Sequence, residues 1–349
     1  MPAVGPRRSL MFRPDTLRDQ LFHLLAHDGK TVAWHQPGVG VTGTLTVTNW
    51  ANWSGGSAGA SADLAVGTAP IYLPWTGTNY AYLPAVASNT LTSPNQTVTG
   101  NKTITFDIAL NDYTPAADVT LFSKTSVNDG FSVLWLTTDK VRLIVGDGVS
   151  LTNVDVVAAS SFADGSKHTV TIAWADGVGA TFSYDGVQSG SQVAAAKTLT
   201  NAAVVLTIGS ATSIGKVYRL QVGSLYDMNA ALPAELIANG ATFTGGAGET
   251  WTLNNTGTLP AQIVGSPSIL FDGAASVLKT GAFTWNQPEE VWLVGRNVTY
   301  VGSGAIFDGN TDLSLGLFNY DINGNSATPK ITQRAATLAS ENSNFSVGA

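Results

Sequence analysis

Within residues 69–227, Asp-Gly pairs begin at Asp129, Asp147, Asp164, Asp176 and Asp185, at spacings of 18, 17, 12 and 9 residues. They fall between or beside strand-length runs: Phe131–Leu136, Val141–Val145, His168–Trp174 and Ala180–Tyr184. Asp-Gly suits the primed turns whose twist matches that of a β-hairpin. Helical stretches are too scarce here for βαβ units, so the pattern predicts an antiparallel sandwich or barrel. Composition points the same way. Only 12% of residues are charged and 37 are Gly, the profile of many short strands joined by tight turns.

The opening motifs of this block recur. Tyr82-Leu83-Pro84, Ile104–Leu110 and Leu121–Lys124 are echoed in the same order, about 185 to 190 positions later, by Ile269–Gly273, Val291–Gly295 and Ile306–Gly309. The organisation expected from this is a first β block at 69–227, a Pro/Gly/Asn-containing linker at 228–265, and a second, incomplete block at 266–349. Residues 1–68 differ from the rest and read as an attachment segment. Pro14 and Asp15 start a helix over 15–26, whose apolar stripe of Leu17, Leu21, Leu24 and Leu25 suits docking on a partner. Val32–Trp50 reads as one or two strands, and Ser54–Ala62 as a Gly/Ser/Ala linker.

Several function classes are set aside by residue content. A net charge of −7 with no basic cluster argues against a nucleic-acid surface. No cysteine is present, which removes disulfides and thiolate metal sites. No stretch reaches the length of a membrane span, and residues 1–25 lack the apolar core of a signal peptide, so synthesis and assembly in a cytoplasm are expected.

A resemblance emerges from motifs in fixed order: Tyr80 to Asn89, Thr92-Ser93-Pro94, Asp112-Tyr113-Thr114-Pro115, Leu121–Lys124, Phe162 to His168, Leu206 to Ser210, and Gly215 to Val222. In this order they resemble the laminin-G-like, concanavalin-A-type jelly rolls found in bacteriophage virion proteins. The resemblance covers about 160 of the 349 residues. It implies an all-β protein with two antiparallel sheets packed face to face. It also implies a virion structural protein, a minor tail or tail-tip component presenting jelly rolls towards the host surface, with other virion proteins and further copies of itself as partners. A capsid decoration or head-fibre protein is the alternative, and a bacterial glycan-binding module the second alternative.

Catalytic chemistry finds little footing in these residues. Glycoside hydrolysis needs two facing carboxyls, yet the chain has five Glu, and Glu289 and Glu290 are adjacent, so on a strand they point to opposite faces. The Glu-x-Asp-x-x-Glu pattern of glucanase relatives is absent, and no enzyme is expected. His23 and His27 have a metal-ligand spacing without a third ligand, and no Gly-x-Ser-x-Gly elbow supports a triad. His168 is expected to begin a strand. No resident cofactor is expected except calcium, which the resemblance would place at the sheet rim among Asp112, Asp118, Asp129 and Asp147. Of nine tryptophans, Trp135 and Trp174 sit in strand runs and suit a core. Trp50, Trp53 and Trp75 lie in Gly-rich surroundings and suit a cell-surface glycan or a subunit interface.

Overall fold

The computed structural model describes residues 71–75, 77–84, 88–157, 162–209, 214–255 and 261–266, together with strand segments at 41–42, 49–50, 64–68, 268–270, 277–279, 304–308, 319–323, 330–334 and 342–344. Sixteen consecutive strands build the central sandwich. They are β1 Tyr80–Leu83, β2 Thr90–Ser93, β3 Lys102–Leu110, β4 Val119–Ser126, β5 Asp129–Trp135, β6 Lys140–Asp147, β7 Leu151–Val157 and β8 His168–Ala175. The remainder are β9 Gly179–Tyr184, β10 Val187–Ala194, β11 Leu206–Ile208, β12 Gly215–Val222, β13 Tyr226–Asn229, β14 Thr242–Thr244, β15 Thr250–Asn254 and β16 Gln262–Val264. One sheet has the order β7-β6-β5-β4-β11-β2-β15-β14. The other has the order β10-β9-β8-β3-β12-β1-β16, with β13 also paired to β12. Every pairing is antiparallel, giving the laminin-G-like jelly-roll sandwich expected from the sequence.

Alternation decides which face is inside. In β6, Val141, Leu143 and Val145 are buried while Arg142 is not, and in β9 Ala180, Phe182 and Tyr184 point inward. Phe106 of the second sheet meets Phe122 of the first edge-to-face at 5.2 Å, so the two layers interlock through aromatic rings. Each such fully buried Phe or Ile contributes roughly 1.5–3 kcal/mol by transfer from water.

The glycines of all five Asp-Gly pairs adopt left-handed φ, between 71° and 86°. Only at Asp185-Gly186 are both residues left-handed (φ 49° and 81°), as a type I′ hairpin requires, and this turn joins Tyr184 to Val187. Elsewhere the glycine solves a different problem. A Cβ on Gly130 would stand 1.9 Å from the Lys124 carbonyl oxygen, because the first residues of β5 lie against the end of β4.

Two expectations about domain limits are corrected. The segment 228–265 is part of the sandwich, not a linker: β14, β15 and β16 add to both sheets, and Trp251, Leu253 and Ile263 are wholly buried. Its Pro, Gly and Asn residues punctuate strands of three to five residues, too short to show a periodicity. Nor does the second block run unbroken from 266, because Val277–Lys279 pairs with Leu64–Thr68 in a four-stranded sheet with Val41–Thr42 and Asn49–Trp50. Further on, Gly304–Asp308, Asn319–Asn323, Lys330–Arg334 and Asn342–Asn344 form an antiparallel meander. The helix expected at 15–26, with Leu17, Leu21, Leu24 and Leu25, lies outside the described residues, as does Ser54–Ala62.

Among the described residues one ammonium is wholly buried. Lys124 is 1% exposed, and its ammonium donates to Asn95 Oδ1 (2.6 Å), Asn201 Oδ1 (2.9 Å) and the Ala202 carbonyl. All three acceptors are neutral, so nothing offsets the desolvation, and burial pushes the Lys124 pKa down from 10.5 to about 8. The folded protein releases this proton before the unfolded chain does. The charge therefore penalises folding fully below pH 8, and the penalty is relieved between about 8 and 10.5. Towards the top of that window buried tyrosines oppose the gain, since Tyr82 is pushed up to about 12 and unfolded tyrosines ionise first. Urea melts of the full chain should show stability rising from pH 7.5 to 9.5. In Lys124→Met the rise should vanish and stability at pH 7 should fall by about 2–3 kcal/mol, as acceptors are left unpaired. Gly130→Ala should cost at least as much, roughly 2–4 kcal/mol, through backbone clash and positive φ.

Candidate binding face

The outward face of the second sheet carries a connected row of polar and aromatic side chains across β8, β3, β12 and β1. Thr169 Oγ1 donates to Asp107 Oδ1 at 2.7 Å, and Lys167 Nζ lies 3.2 Å from Asp107 Oδ2. The same ammonium stands 4.6 Å above the Tyr218 ring. Tyr218 packs tilted against Tyr80 at 5.6 Å, and Lys216 Nζ lies 5.4 Å from the Tyr80 ring. Beyond Tyr80, whose hydroxyl donates to the Pro74 carbonyl, Trp75 is held by a 3.0 Å bond from its indole N–H to Asn79 Oδ1. Asn79 in turn donates to the Pro233 carbonyl.

Register explains why Tyr218 is available. Val217 pairs with Ile108 and Arg219 with Asp107, so Tyr218 is the extra residue of a β-bulge. Lys216, Tyr218 and Arg219 are all half-buried while Val217 and Leu220 are buried, so the bulge adds one outward residue to the strand. Arg219 is spoken for: its guanidinium donates twice to Asp227, at 2.7 and 2.8 Å, and this pairing holds its pKa above the ordinary value. Asp227 is positioned by Glu249, a buried carboxylate that accepts from the Asp227 amide (2.5 Å), the Trp251 indole (2.7 Å) and the Ala247 amide (3.1 Å). Burial lowers the pKa of Lys216 and raises that of Tyr218. The exposed ammonium of Lys167 and the half-buried rings of Tyr218 and Trp75 thus form a face offering aromatic planes, cations and a fixed carboxylate.

The sequence-expected residues distribute as follows. Trp75 is half-buried and lies at the end of this face; Trp50 lies in the two-residue strand Asn49–Trp50, and Trp53 lies outside the described residues. Trp135 and Trp174 are buried, with their indole N–H groups donating to the Tyr113 carbonyl (2.7 Å) and Asp176 (2.6 Å). The four loop aspartates serve their own turns. Asp112 accepts from the Thr114 amide, Asp118 from the Thr137 amide and Asp129 from the Thr200 hydroxyl, while Asp147 caps Val149 and Ser150 and pairs with Lys197 at 2.5 Å. Hydrogen bonds from Lys197 and the two amides hold the Asp147 pKa down at about 2. Asp129 and Asp147 are cross-strand partners, but no group of three or more His, Asp or Glu able to hold a metal occurs among the described residues. Sequence reasoning missed Lys167 and Tyr218. They are 51 positions apart, and no local signal announces the bulge.

No protein-family model matches the chain, and no curated protein matches it either. Among solved structures it is similar to domains LG4-5 of the mouse laminin alpha1 chain, at 13% identity over 44% of this chain and 43% of that one, with a TM-score of 0.35. It is similar to the heptameric SAP-like pentraxin of Limulus polyphemus at 14% identity, covering 42% of this chain and 76% of that one, TM-score 0.31. The serotype D botulinum neurotoxin ligand binding domain, solved with N-acetylneuraminic acid, matches at 13% identity over 54% of this chain and 47% of its own, TM-score 0.29. The chain thus spans less than half of the laminin and toxin structures.

If the row is coupled as its geometry implies, Lys167→Ala should weaken Tyr218 packing little but free Asp107. Urea melts followed by tyrosine fluorescence should then show global stability changed by less than about 1 kcal/mol.

Proposed function

We propose that the chain is a glycan-binding module and that the face built on Trp75, Lys167, Tyr218 and Asp107, with Tyr80 buried behind Tyr218, is where the sugar sits. The observation that carries this reading is the bulge at Tyr218 with Lys167 over its ring. Along β3 and β8 the other outward positions are small, as at Thr103, Thr105, Thr171 and Ala173. Pyranose rings present an apolar C–H face to an aromatic plane and hydroxyls to flanking charges, and this row supplies both at fixed separations.

Where the module works is the finer part of the proposal. It acts on a bacteriophage particle, as a minor tail or tail-tip component facing the host surface. A cysteine-free, weakly charged, Gly-rich chain suits assembly in a reducing cytoplasm, and many copies would turn weak sugar contacts into avidity. Capsid decoration is the competing location, and antibody labelling of particles separates the two: tail label is axial, decoration label covers the shell.

Binding of the full chain to an immobilised glycan array should be saturable. Tyr218→Ala should lower affinity for the best ligand about tenfold or more, and Lys167→Ala by a comparable factor for ligands bearing a carboxylate. Equal binding by both variants would sink this choice of face.

A further inference from the structure

At the rim where β8 begins, three side chains outside the binding face stand in line. Ser166 Oγ lies 2.8 Å from His168 Nε2, and His168 Nδ1 lies 2.7 Å from Asp185 Oδ2. We propose that Ser166, His168 and Asp185 form an acyl-transfer site acting on carboxylic esters with small acyl groups, Ser166 being the nucleophile, His168 the base and Asp185 the positioning residue.

Proton placement follows from the partners. Burial pushes the Asp185 pKa up, but hydrogen bonds from the Thr169 amide and His168 outweigh it, leaving the pKa below the ordinary value and the group ionised. A carboxylate only accepts, so His168 Nδ1 carries a proton, and in the neutral ring Nε2 is the lone pair facing Ser166. The ring cannot swing away easily. It stacks on Phe162 at 3.7 Å and 20°, and meets Tyr113 edge-on at 5.5 Å. Tyr113 donates its hydroxyl to the Ser166 carbonyl at 2.9 Å, fixing the nucleophile's backbone to the same support. Asp185 is locked by the type I′ turn and by its amide bond to the Thr169 carbonyl at 2.8 Å.

Ser166 Oγ also lies within hydrogen-bond reach of the Ala163 carbonyl. Its single proton goes to Nε2 when the imidazole is neutral and to Ala163 when the imidazole is charged. The two patterns differ by the one proton that a general base takes. In the reaction, Oγ bonds to the ester carbonyl carbon while its proton passes to Nε2. The bond to the leaving alkoxide then breaks, and the alkoxide takes that proton. Water attacks the acyl-serine in the same way, releasing the carboxylic acid and restoring Ser166. The Gly165 and Ser166 amides are spent on the Leu110 and Ala163 carbonyls, so neither stabilises the oxyanion. Turnover is therefore slow, and the covalent stage is the one to observe. The rim is open, with the Asp185 side chain 51% exposed.

The full chain should be incubated with a fluorophosphonate probe, and separately with p-nitrophenyl acetate, and the peptide containing Ser166 weighed. The expected result is a single adduct on Ser166, absent in Ser166→Ala and formed about 100-fold more slowly in His168→Gln. In Asp185→Asn, which keeps the ring and the turn, labelling should slow about tenfold or more at an unchanged melting temperature. An unlabelled Ser166 in the wild type overturns the proposal. So does labelling at the wild-type rate in folded His168→Gln; should that variant not fold, labelling at the wild-type rate in Asp185→Asn does the same.

Discussion

A single buried ammonium holds together two of the places where this chain passes from one sheet to the other. Lys124 sits on β4, and its partners Asn95, Asn201 and Ala202 belong to the β2–β3 and β10–β11 connections, both of which cross between layers. Asn201 also accepts the Val98 amide, so the two crossings are tied to each other as well as to the strand. Strand β11 has only three residues, yet it lies between β4 and β2 in the middle of its sheet. A strand so short has little pairing of its own to fix register, and the clamp just upstream delivers it to the right place. Neutral acceptors satisfy the ammonium's donors without bringing a second charge into the pocket, and the uncompensated charge is the cost that its lowered pKa records.

What could be read from the residues follows period and turn chemistry. The Asp-Gly pairs and alternating runs made the sandwich legible, and the glycines at these pairs do take the left-handed backbone. The strands after 228 were hidden because three to five residues carry no periodicity. Trp251 and Leu253 alternate inward, but two positions resemble chance in a Gly-rich stretch. The binding face was nearly invisible. Trp75 was picked out by its setting, whereas Lys167 and Tyr218 meet only because a bulge shifts β12 by one residue against β3. Likewise Ser166 and His168 are two apart, but Asp185 joins them only through the pairing of β8 with β9 and the β9–β10 turn that follows it.

The start of β8 feeds two surfaces. Lys167 and Thr169 serve the outward face through Asp107, while Ser166 and His168 serve the rim through Asp185. Alternation along an extended chain makes this division automatic. Residues two apart can be tuned for one surface while their neighbours answer to the other, and the backbone between them keeps both sets at a fixed spacing.

The pairing of Leu64–Thr68 with Val277–Lys279 joins the stretches of chain that precede and follow the sandwich. The sandwich's own first and last strands, β1 and β16, are also neighbours. Along the chain, the sandwich is thus a closed excursion that begins and ends at an antiparallel pair. Mechanically, tension drawn along the chain between residues before 64 and after 279 falls first on the pair formed by Leu64–Thr68 and Val277–Lys279, which opens one rung at a time. The chain between those two strands carries no tension until the pair has parted.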